Sequence, residues 1–212
     1  MRNSDFDHGT WAWEVSQRAF ADAAGWFVRS VGLVAGRWDL PGLGEWDVRA
    51  LVGHTSRSLL TVEAYLAHPA AAVEVASAPA YYLATRQLAA GPEVAQRGRD
   101  AGTALGDDPA AAVAIIADRV LPVVAGSDGS ELVTTIAGGM RLSDYLPTRT
   151  FELTVHTTDL AVALDLPPEP PASAARQAWE LVGDLAIQDG TSWRLLLAAT
   201  GRRGLPVGFT VL

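Results

Sequence analysis

The 212-residue chain has no cysteine, which excludes disulfides, thiolate metal sites and a protein thiol nucleophile. Any thiol chemistry done here has to use a small-molecule thiol. Lysine is missing as well: all 16 basic residues are arginine, against 24 acidic ones, for a net charge of −8. That balance argues against nucleic acid as a partner, because holding phosphate takes clustered basic residues that release counterions. No stretch approaches the run of about 18 apolar residues that a membrane span needs. The opening residues, Met1 to His8, are polar and acidic and do not read as a signal peptide. The expectation is a cytoplasmic protein with neither nucleic acid nor membrane as a partner.

What is present is an ordinary globular composition, 49% apolar and 19% charged, at a length suited to one well-buried domain. Apolar residues recur at helical spacing from Trp11 to about Ala35. A loop rich in glycine and proline follows from Arg37 to Trp46. Asp47 is a candidate N-cap for a second helix that runs to about Ala67 and is stopped by Pro69. A third helix is expected after Pro79, reaching Leu105 with a break near Gly91-Pro92. Asp107-Asp108-Pro109 starts another, ending near Val124. Glu131 to Ile136 reads as a short strand ended by Gly138-Gly139. Ser143 is the expected cap of a helix running to about Leu164. Pro167, Pro168, Pro170 and Pro171 form a stiff linker to a last helix over Ala172 to Ala199, and Val207 to Leu212 is a candidate strand. Six helices and little strand predict an all-α bundle.

The helix expected from Ser143 to Leu164 carries an anomaly. At roughly 100° per residue, Arg149, Glu152, His156 and Asp159 share an arc of about 80°. Leu153 and Leu160 flank that arc on one side, Val155 and Val162 on the other. The opposite side carries Thr150, Thr154, Thr157, Thr158 and Ala161. The phasing therefore turns the ionisable residues inward, where charge is costly unless paired or bound to metal. Two readings stand open. Glu152 and His156, four apart, can direct two side chains at one metal ion, or the stripe is a buried ion-pair network through Arg149 and Asp159.

A third ligand has to come from another segment, and the remaining histidines are His8, His54 and His68. His68 precedes Pro69 at a helix end, where a cation suits the helix dipole. His54 lies two turns into the second helix and, taken alone, reads as a hydrogen-bonded histidine at the edge of the core. No spacing rule joins it to Glu152.

The segment Trp46-Asp47-Val48-Arg49-Ala50-Leu51-Val52-Gly53-His54 resembles the opening of the metal-binding helix in the DinB-like superfamily. It is most similar to the branch named for mycothiol-dependent maleylpyruvate isomerase. Tyr145 to Ala161, with its Pro147-Thr148-Arg149 and Glu152-Leu153-Thr154-Val155-His156-Thr157-Thr158-Asp159, resembles that branch's second signature, although Thr158 stands where the branch often has tryptophan or another bulky residue. Leu195 to Arg202 is similar to the end of its core domain.

The resemblance implies a four-helix bundle with added helices and room for one short hairpin or strand pair, holding a divalent metal, zinc by family precedent, on His54, Glu152 and His156. It implies mycothiol or a similar thiol as co-substrate, its sulfur activated by the metal. The activity to expect is thiol transfer, addition or thiol-assisted isomerisation on an electrophilic small molecule. No catalytic residue beyond the metal set is expected. Arg149 and Arg86 are candidate substrate binders, Arg149 through a bidentate carboxylate contact; Arg97 shares the third helix with Arg86, and for both the alternative is a solvated surface. Asp159 is a candidate to hold His156 in the right tautomer. Residues 1–165 are expected to form the metal-binding bundle, with 166–212 completing the same domain. Longer members carry a compact C-terminal α/β domain, where this chain has the tail after Gly201, so the pocket wall should be built differently. The assembly expected is a monomer or homodimer. Two rival readings remain, a bundle that binds metal or ligand without chemistry and a plain interaction module.

Overall fold

The computed structural model describes residues 12–89 and 93–212; His8, Trp11 and the break at Gly91-Pro92 lie outside them. In chain order come α1 (Trp13–Gly32), a hairpin of β1 (Pro41–Leu43) and β2 (Trp46–Asp47), α2 (Val48–Leu66), α3 (Ala78–Ala89), α4 (Glu93–Ala104) and α5 (Pro109–Ala125). A second hairpin, β3 (Leu132–Thr135) and β4 (Gly138–Arg141), leads into α6 (Leu142–Ala163), α7 (Ala172–Gln188) and α8 (Ser192–Ala199). The fold is all-α with two small antiparallel strand pairs, the class expected from the sequence.

The architecture follows from which helices touch. Helices α1 and α2 each pack against both α5 and α6, closing a four-helix ring, while α7 lies on α1 and α6, α4 on α2, and α3 on α6 and α7. Phe20, Phe27, Leu51, Leu59, Leu146, Leu153 and Leu160 are fully buried in the resulting core, each contributing about 1.5–3 kcal/mol of burial. The helix starts are set locally. The Asp47 carboxylate accepts a hydrogen bond from the Ala50 amide at 2.7 Å, and Asp108 accepts one from Ala111 at 3.0 Å with Pro109 in the first turn. Each such cap is worth about 1 kcal/mol.

Helix α4 approaches α2 unusually closely because glycines face each other. A Cβ on Gly53 would run into the Gly102 backbone and come within 2.5 Å of the Ala101 carbonyl carbon. Gly98 leaves room in the same way for the Trp46 ring, whose Nε1 donates to the Ala95 carbonyl at 2.9 Å. Trp46 is thereby pinned between the start of α2 and α4.

Several expectations need correction. The segment read as a loop before Trp46 contains the β1–β2 hairpin, turned at Gly44 with φ +57°. Gly138-Gly139 does not end strand structure but begins β4, paired with β3. Arg141, not Ser143, occupies the N-cap position of α6. The last helix is two: Gly190, at φ +64°, breaks it between α7 and α8. No strand forms over 207–212, where Val211 is buried but Val207 is fully exposed.

The phasing of α6 also needs revising. Thr150, Thr154, Thr157 and Ala161, placed opposite the inward stripe, are buried too, whereas Val162 is 65% exposed. The helix is wrapped on most sides by α1, α2, α3 and α7. Thr150 and Thr154 tolerate this because each hydroxyl is satisfied within its own helix, Thr150 donating to the Leu146 carbonyl at 3.2 Å and Thr154 to the Thr150 carbonyl at 2.6 Å, whereas Thr157 Oγ1 has no partner among the described residues. A threonine face therefore does not mark the solvent side here.

Candidate metal centre

Helix α2 supplies His54, and α6 supplies Glu152 and His156 one turn apart. The structure brings all three together: each offers a ligand atom, and these atoms lie within 4.8 Å of one another. The Glu152 Oε2 to His156 Nε2 separation is 3.2 Å, and the two imidazole rings stand 4.9 Å apart, nearly perpendicular. A tetrahedral zinc ion with bonds of about 2.0–2.2 Å sets its ligand atoms roughly 3.5 Å apart, so small side-chain adjustments suffice to close the set.

The residues fit a divalent cation on observations independent of that spacing. His54 Nδ1 is buried with no hydrogen-bond partner among the described residues, which is costly for a polar atom unless a ligand satisfies it. Burial, and then the neighbouring charge of His156, push the His54 pKa down to about 4, leaving a neutral imidazole with a lone pair to give. Burial raises the Glu152 carboxyl, but the hydrogen bond with His156 and the nearby Arg149 charge outweigh it and bring its pKa down to about 2. Burial disfavours the charged form of His156, yet hydrogen bonds to Asp159 and Glu152 prevail and raise it to about 9. In the metal-free protein a proton on His156 thus stands where a metal's charge would be.

Asp159 sits behind His156, its Oδ2 at 3.1 Å from Nδ1. That contact fixes the tautomer that leaves Nε2 directed toward Glu152. Two neighbours were not singled out by sequence reasoning. The Trp46 ring stacks on His54 at 4.5 Å and 32°; its place in the motif eight residues before His54 was the available signal. Tyr82 on α3 donates from its hydroxyl to Glu152 Oε1 at 2.6 Å. It comes from a helix 70 residues away, and no spacing rule points to it.

The site opens into a cavity of about 550 Å³. Arg57, Arg86, Arg97 and Arg149 line it, with Glu152 the one acidic side chain among the lining residues. In a chain of net charge −8 this is a marked local reversal of sign. Arg149 is buried, donates through Nε to Thr148 Oγ1 at 2.9 Å, and lies over the rings of Tyr81 and Tyr145 at 5.4 and 5.0 Å. Among the described residues it makes no ion pair with a carboxylate and packs by cation–π contact instead, so of the ion-pair network weighed for this stripe the Glu152–His156–Asp159 part is present and the Arg149 part is not. Arg86 is differently placed: Nη2 is 2.7 Å from Asp189 Oδ2 and 3.2 Å from the Val211 carbonyl. Leu212 completes part of the wall. Arg97 is within 3.6 Å of Glu93 on an exposed face of α4, and His68, whose Nδ1 bonds the Ala64 carbonyl at 2.7 Å, is exposed at the end of α2. A smaller cavity of about 360 Å³ beside Trp193 and Arg194 contains none of the three ligand candidates.

A helical bundle whose core helices bring a His-Glu-His set together has an arrangement that could hold a metal ion. The chain belongs to the family described as the mycothiol maleylpyruvate isomerase N-terminal domain, whose family model matches residues 27–161, more than half of the sequence. No curated protein and no solved structure matches it significantly. Among the described residues no helix is long and apolar enough to cross a membrane.

Proposed function

We propose that this protein is a cytoplasmic, zinc-dependent enzyme that uses mycothiol or a similar low-molecular-weight thiol to transform an electrophilic small molecule, by thiol transfer, addition or isomerisation. His54, Glu152 and His156 hold the metal in this reading, and 166–212 completes the domain begun by 1–165. The observation that carries it is the convergence of one ligand atom each from His54, Glu152 and His156 within 4.8 Å, with Glu152 ionised and His156 oriented by Asp159. Three protein ligands leave further coordination positions for a thiol or substrate. A divalent metal held there supplies the Lewis acidity that makes a bound thiol a thiolate near neutral pH. The lack of cysteine is consistent with a thiol delivered from outside.

The surrounding residues have separate tasks. Arg149, without a carboxylate partner among the described residues and packed between two tyrosines, presents its guanidinium to an acidic group on the substrate. Arg86 lines the outer wall and can add a second contact by exchanging its bond to Val211. Trp46, Tyr65 and Tyr81 give the cavity apolar faces that exclude water from the reacting atoms. The test is a titration of zinc-loaded protein with mycothiol, followed by conjugation of model electrophiles. Saturable binding and turnover are expected. A zinc-loaded protein that neither binds the thiol nor conjugates would instead be a non-catalytic metal-binding bundle.

A further inference from the structure

Resting on the metal assignment above, we infer that Tyr82 is a positioning residue that holds one oxygen of Glu152 away from the metal, so that Glu152 binds through the other oxygen alone. The two carboxylate oxygens have different neighbours. Oε1 accepts a hydrogen bond from the Tyr82 hydroxyl at 2.6 Å, a short charge-assisted bond. Oε2 is 3.2 Å from His156 Nε2 and so faces the point where the ligand atoms converge. The phenol has little freedom to let go. It is buried, its hydroxyl also lies 3.2 Å from the Thr148 carbonyl, and its ring is wedged edge-on against Tyr81 and Phe151 at 5.7 and 5.5 Å.

This division has a chemical consequence. A carboxylate free to rotate can take a metal through both oxygens and fill a position that an incoming ligand needs. A donor fixed on one oxygen opposes that rotation and favours coordination through the other. Tyr82, which also borders the cavity, therefore keeps a coordination position open through its hold on Glu152.

The test uses Co²⁺ as the probe, because its visible bands weaken and shift as coordination rises from four to five or six. Wild-type protein and Tyr82→Phe, which keeps the ring packing, are loaded with Co²⁺ after circular dichroism has checked their folds. The expected result for Tyr82→Phe is a shift to weaker, higher-coordination bands, with metal affinity lowered about 10-fold or more. Unchanged bands overturn the inference, even if affinity falls, since that result leaves Tyr82 a general support of the fold. X-ray absorption on metal-loaded wild-type protein needs no variant: a single carboxylate oxygen at the metal is expected, and a bidentate carboxylate overturns the inference. Wild-type protein that takes up no Co²⁺ brings down the metal assignment itself, a failure distinct from the other two.

Discussion

Replacing Gly53 by alanine tests whether the α2–α4 contact positions the site. Two effects oppose each other. Alanine gains about 1 kcal/mol over glycine in a helix interior. Against this, the added Cβ would collide with the Gly102 backbone and lie 2.5 Å from the Ala101 carbonyl carbon. Overpacking a close contact costs about 1–3 kcal/mol and sometimes more, and the upper end applies because backbone cannot escape by changing rotamer. The steric term wins, leaving a net loss of about 2 kcal/mol and a melting temperature lower by roughly 4–8 °C. Gly183 on α7 supplies the contrast, since a Cβ there meets nothing within 4 Å among the described residues. Gly183→Ala should be more stable by about 0.5–1 kcal/mol. Urea denaturation of the two variants reads out both signs. Since α4 also pins Trp46, which stacks on His54, Gly53→Ala should additionally weaken metal binding. If Gly53→Ala is as stable as wild type and binds metal equally well, the close contact is not what positions α4.

Further predictions concern charge. In the metal-free protein, His54 has its pKa lowered to about 4, so the fold favours its neutral form and stability is lost as pH falls from about 6.5 toward 4, with a ceiling of about 3 kcal/mol. His156, raised to about 9, acts in the other direction: its contribution is full below about 6.5 and lost as pH rises through 9. Urea midpoints of metal-free protein should therefore peak near pH 6.5, and a flat profile across pH 4–9 would contradict both assignments. Metal binding at pH 7 should release about one proton per ion, from His156, read by calorimetry in buffers of different ionisation enthalpy; no release means that the imidazolium is not displaced. Arg149→Lys keeps the charge but loses the planar fork and the ring stacking. It should weaken an acidic competitive ligand about 10-fold or more while metal content stays at the wild-type level, and unchanged affinity would remove Arg149 from the substrate site.

What the sequence made legible was whatever is decided locally. Asp47 and Asp108 cap helices because a short carboxylate reaches the free amides of the first turn from its own segment, and Pro69 and Pro109 mark boundaries by their missing N–H. The pairing of Glu152 with His156 follows from the helical repeat alone. The bringing together of His54 with that pair depends on how α2 packs against α6, which no local pattern encodes; only the likeness of two separated motifs suggested it. Tyr82 was invisible for the same reason, arriving from a third helix. The threonine side of α6 misled because composition marks a hydroxyl as polar but not that it is already bonded one turn back. The hairpins were obscured by glycines at 44, 138 and 139, which read as breaks when they serve as turns and strand starts. Gly190 was the reverse case, a break read through as helix.

The central claim is that His54, Glu152 and His156 form one metal site, and elemental analysis of the purified chain tests it most directly. About one divalent metal per wild-type chain is expected, lost in both His54→Ala and His156→Ala variants that remain folded. Protein that carries no metal, and takes up none when zinc is offered, would contradict the account.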